Sequence, residues 1–126
     1  MTVPSLTGRR RRERARRRDQ RPHPWLVRAA DRQAYQGWQQ LLTNAAENLD
    51  RAWVALTSEP RRVDQRQHPL KGALGVVKVG GAVLEQWQYE VTGGGRIWYA
   101  IDDDGRTLWI TRAGTGHPRQ TDTRRR

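Results

Sequence analysis

Four residues of this chain have side chains suited to moving protons and holding an anion. They are His68 and Lys71, three positions apart, then Arg96, and then His117 near the C-terminal end. A phosphodiester flanked by a hydroxyl, as in RNA, can be cut without a metal. The 2′-OH attacks the phosphorus, one group removes its proton, another protonates the leaving 5′-oxygen, and cations offset the growing charge. Histidine suits both proton transfers because its unperturbed pKa lies near neutrality. Arginine and lysine suit the charge term. Lys78, Trp98, Arg112 and Arg119 are further candidates for contact with RNA phosphate.

Other chemistries fit less well. No two histidines have metal-ligand spacing, and Asp102-Asp103-Asp104-Gly105 lacks the ligand ladder of a calcium loop. Gly93-Gly94-Gly95 lies between two strand-like runs and opens no helix, which argues against a phosphate-cradling loop. The expectation is therefore neither metal nor cofactor. Cysteine is absent, which removes thiol catalysis and disulfides and fits a cytoplasmic protein.

The elements that must position these groups follow from apolar spacing. Trp25-Leu26-Val27-Arg28 is a short strand. Asp31 caps a helix in which Tyr35, Trp38, Leu41 and Leu42 recur at helical spacing. Ala45, Ala46, Leu49, Ala52, Trp53 and Leu56 extend the pattern after a break at Thr43-Asn44, with Asn44 expected as the second cap. Ser58-Glu59-Pro60 ends the helical region, because the residue before a proline disfavours helix. Residues 61–69 read as a polar loop. Gly80-Gly81 separates Leu74–Val79 from a strand over 83–91, in which Trp87, Tyr89 and Val91 share a face. Thr92–Gly95 turns the chain into a second strand, with Ile97, Tyr99 and Ile101 on one face and Arg96, Trp98 and Ala100 on the other. A last strand runs over 107–111. The sum is an α+β fold, a helical hairpin on a small, mainly antiparallel sheet. Trp38, Leu42, Leu49 and Trp53 are expected to pack on Tyr89, Tyr99 and Ile110.

Charge is uneven along the 126 residues. The net charge is +11, yet residues 9–21 carry nine arginines and two acids, and residues 119–126 four arginines and one acid. This predicts a disordered basic tail over 1–21, a folded domain over 22–118 and a basic tail over 119–126. Such tails favour polyanions through counterion release. No apolar run approaches the ~20 residues of a membrane span, so no membrane partner is expected.

The order of these elements and three motifs resemble the RelE/ParE superfamily of toxins from type II toxin–antitoxin systems. The likeness is greater to the RelE and YoeB-like mRNA interferases, and it covers roughly residues 25–118. Pro69-Leu70-Lys71-Gly72-Ala73-Leu74 is similar to their P-L-K-G-x-L segment. Arg96–Asp102 looks like their central strand, which opens with the arginine that contacts the scissile phosphate. His117 follows the last strand, where they carry a catalytic histidine. Two positions depart from the pattern. His68 stands where those toxins place a glutamate, and Pro118 where they place a tyrosine. The resemblance implies a ribosome-dependent endoribonuclease acting on mRNA in the ribosomal A site, with contacts to ribosomal RNA and a cognate antitoxin protein as partner. Arg96 and Lys71 would hold the phosphate, with His117 and His68 dividing the proton transfers. The alternatives are a non-enzymatic RNA- or DNA-binding module and a ParE-like inhibitor of gyrase.

Overall fold

The computed structural model describes residues 24–115. Both basic tails, His23, His117, Pro118 and Arg119 lie outside the described residues. The elements in chain order are β1 (Leu26–Ala29), α1 (Arg32–Asn44), α2 (Ala46–Ser58), β2 (Gln67–Pro69), a 3₁₀ turn (Gly72–Gly75), β3 (Val76–Val79), β4 (Ala82–Glu90), β5 (Arg96–Asp102) and β6 (Thr107–Gly114). The architecture is α+β, with both helices on one face of a six-stranded sheet. The strand order is β1-β6-β5-β4-β2, and β3 pairs with the far end of β4. Only β1 and β6 run parallel within this sheet.

Asp31 caps α1 as its sequence implies, its Oδ1 accepting from the Ala34 amide at 2.8 Å. The face α1 buries is Ala34, Gly37, Trp38 and Leu41. Leu41, not Leu42, enters the core, and Leu42 is 46% exposed. Positions 34, 38 and 41 are spaced by four and three, whereas Leu42 is turned a further ~100° round the helix. Asn44 is not the cap of α2. It is the last residue of α1, and its side-chain amide donates to the Gln40 carbonyl at 2.9 Å. Ala45 alone separates the helices and offers no side-chain cap. From α2, Leu49, Ala52 and Leu56 are buried, while Trp53 is half-buried and meets Trp38 edge to face at 6.0 Å.

The segment expected to be a loop over 61–69 ends in a strand. Gln67, His68 and Pro69 pair with Tyr89, Gln88 and Trp87. The cause is the buried Gln67 side chain. Its amide donates to the Glu59 carbonyl at 2.9 Å and to the Tyr99 hydroxyl at 3.0 Å, and that hydroxyl donates to the Pro60 carbonyl at 2.7 Å. Burial also raises the Tyr99 hydroxyl above its ordinary pKa. Arg61 reinforces the same corner, with Nη2 at 2.7 Å from both Glu85 and Asp103. The β3–β4 turn needs two positive φ angles in succession, which Gly80 (57°) and Gly81 (94°) supply.

Candidate functional site

The helices leave the second face of the sheet open, and the 3₁₀ turn and β3 fold over part of it. The result is a cleft of about 660 Å³ between Leu74 and Val76 on one wall, α1 on another, and a floor that includes Arg96, Trp98 and Arg112. Its lining holds two arginines and no acidic residue.

Alternation along β5 places Arg96 and Trp98 on this face, while Ile97 and Tyr99 are fully buried on the helix side. Arg112 arrives by a different route. Continued alternation from Ile110 would turn it towards the helices. Instead the β5–β6 register shifts between Trp98 and Tyr99: Tyr99 faces Ile110, Trp98 faces Arg112, and Thr111 is the extra residue. This bulge reverses the alternation and carries Arg112 to the open face. The Arg112 guanidinium then lies 5.0 Å from the centre of the Trp98 ring. The Trp98 indole is fixed in turn, its Nε1 donating to Gln88 Oε1 at 2.9 Å.

Arg96 is partly buried at the end of the cleft. Its Nε atom is buried and has no hydrogen-bond partner. Neither Arg96 nor Arg112 pairs with a carboxylate among the described residues. Glu90 stands directly across from Arg96 in the β4–β5 register without forming an ion pair with it. A buried guanidinium donor without a partner costs free energy unless an anion or water satisfies it. A planar cation that is permanently charged suits phosphate oxygens.

Of the residues singled out in the sequence, Arg96, Trp98 and Arg112 therefore come together. His68 shares their face but stands apart. The register aligns His68, Gln88, Trp98 and Arg112 in one row across four strands. That leaves His68 two strand spacings, roughly 10 Å, from Trp98. Lys71 is exposed just before the 3₁₀ turn, and Lys78 is exposed on β3 across from Val83. None of these three lines the cleft. His117 and Arg119 lie outside the described residues. Sequence reasoning did not find Gln86 and Thr111, which sit on the cleft floor. The one signal was the odd interval between Ile110 and Ala113, which both face the core.

Among the described residues, no helix is long and apolar enough to cross a membrane. No family model and no curated protein matches the chain. One solved structure that is similar to it is the crystal structure of a metal-bound toxin from Helicobacter pylori. It is 19% identical, covers 67% of this chain and 87% of that one, and superposes with a TM-score of 0.48. Likeness at that level is loose, and the α+β architecture stands on the strand order and the helical hairpin themselves.

Proposed function

We propose that this chain is a toxin of a type II toxin–antitoxin system, and that its cleft binds an RNA phosphodiester and cleaves it on the ribosome. One observation carries this reading: two arginines without carboxylate partners share an acid-free cleft, and the Nε of one is buried with its hydrogen bond unmade. The motifs around Lys71 and Arg96 support the same assignment.

The 2′-OH attacks the adjacent phosphorus, and its proton passes to an imidazole. The P–O5′ bond breaks, and the 5′-oxygen takes a proton from a second acid. Arg96 and Arg112 offset the charge on the phosphorane oxygens, where a positioned donor is typically worth ~10²–10³ in rate. His117 follows Gly114 of the cleft by three positions in sequence, and His68 stands on the same sheet face. These two divide the proton transfers. Lys71 and Lys78 approach the RNA outside the cleft, and Arg119 and the arginine-rich tails add affinity for it through counterion release. The neutralising partner is a cognate antitoxin.

A second reading has its own observation. Among the described residues, the cleft lining contains no group that titrates near neutrality. A binding module that blocks translation without cutting would need none. In vitro translation with primer extension on the mRNA separates the two. Codon-phased cuts that vanish in folded Arg96→Ala support cleavage. A translation block without cuts supports the binding module. Neither cuts nor a block from the wild-type chain refutes both.

A further inference from the structure

Gln86 is a polar side chain on the open face of the sheet, yet it is only 4% exposed. Two partners explain its burial. Its Nε2 donates to the Leu74 carbonyl at 2.8 Å, on the wall of the cleft. Because a carbonyl can only accept, the amide nitrogen must face Leu74, and Oε1 faces the other way. There Oε1 accepts from the Thr111 hydroxyl. Thr111 is the extra residue of the β6 bulge, and its hydroxyl also lies 3.2 Å from the Trp98 carbonyl. A single buried side chain thus joins the wall of the cleft to the bulge that turns Arg112 onto its floor.

We propose that Gln86 and Thr111 are positioning residues that hold the bulge and so aim Arg112 at a bound phosphate. This rests on the cleft taking RNA phosphate. Neither residue need touch the RNA. Arg112 sits over Trp98 because the strand beneath it is held one residue out of step, and the Gln86–Thr111 bond is the polar tie at that step. Beyond the bulge, Ala113 packs against the hydrophobic core, and its main chain lies against Gly37 of α1. These contacts anchor the strand beyond the bulge but not the bulge itself, so variants without the polar tie should still fold.

The test uses the full chain and a short fluorescein-labelled single-stranded RNA, with affinity measured across a salt series. Arg112→Ala should flatten the slope of log K against log salt by about 0.7, the contribution of one phosphate contact to single-stranded RNA. Gln86→Met and Thr111→Val should flatten it by the same amount, and Thr111→Ser should restore it. In the Arg112→Ala background, Gln86→Met should change nothing further. A wild-type slope in folded Gln86→Met, or losses that add in the double variant, would overturn the proposal. If the wild-type chain binds no RNA, the functional reading fails, and positioning is then read from NMR alone. The Arg112 δ-protons over the Trp98 ring should be shifted upfield in the wild type and return to ordinary values in Gln86→Met and Thr111→Val. Shifts that persist in both variants would refute the positioning role of Gln86 and Thr111 whatever the ligand.

Discussion

Gly37 of α1 lies against the main chain of Ala113 in β6 so closely that a Cβ at position 37 would fall 1.8 Å from the Ala113 carbonyl oxygen. The helix rests on the strand backbone itself, just beyond the bulge that presents Arg112. No side-chain rotation relieves an overlap with backbone, so Gly37→Ala should cost about 3 kcal/mol or more, above the usual range for an overpacked site. Urea denaturation checks this. A midpoint within error of wild type would show that α1 does not approach β6 this closely.

Two adjacent leucines in α1 should respond in opposite ways. Leu41 is fully buried, whereas Leu42 is 46% exposed. Leu41→Ala is expected to cost ~2–5 kcal/mol. Leu42→Ala should stay within ~0.5 kcal/mol. Thermal melts of the two variants side by side decide the matter, and equal losses would mean that the helix is rotated from the position described.

The site residues make distinct kinetic predictions. Folded Arg96→Ala should lose ~10²–10³ in single-turnover cleavage of ribosome-bound mRNA. His117→Ala and His117→Gln should each lose ~10²–10⁴, because glutamine forms hydrogen bonds but does not titrate. Circular dichroism should stay unchanged, since Arg96 points away from the buried Ile97 and Tyr99. Wild-type rates from all three variants would leave the binding module as the better description.

A pH dependence follows from the corner held by Arg61. Its guanidinium hydrogen bonds hold the Glu85 and Asp103 carboxyls below the ordinary carboxylate range. Depressed carboxylates stabilise the fold fully above their unfolded pKa, and that stability is lost as pH falls through the folded value. All three groups are substantially exposed. Arg61→Gln should therefore cost no more than ~1 kcal/mol per pair near neutrality, and less in high salt. The gap between wild type and variant should close as pH falls below the ordinary carboxylate range and through the depressed folded values. A gap that widens on acidification would contradict the arrangement.

The helical hairpin, the β4–β5 hairpin and the face that carries Arg96 and Trp98 were legible in the sequence, because apolar periodicity and turn residues mark them directly. Other features were not. Strand β2 is only three residues long, and the cause of its pairing, the Gln67–Tyr99 contact, spans distant parts of the chain. The choice of Leu41 over Leu42 turns on one helical step, which a run of apolar residues does not fix. The bulge at Thr111 depends on Gln86 and the turn beyond it, so the placement of Arg112 arises from tertiary structure. Periodicity alone would have placed its side chain among the helices.

The parallel pairing of β1 with β6 joins Leu26 to Thr107, closing a loop of roughly 80 residues, at a cost that grows only slowly with length. It also means that, among the described strands, the first to be synthesised waits for the last. As the chain leaves the ribosome, Val27 and Ala29 have no neighbouring strand until residues 107–110 have emerged. A nascent product halted before that point has helices and a central hairpin but an unfinished sheet, and the strand carrying Arg112 has yet to be made. The cleft that holds Arg96, Trp98 and Arg112 is therefore assembled only once β6 has been made.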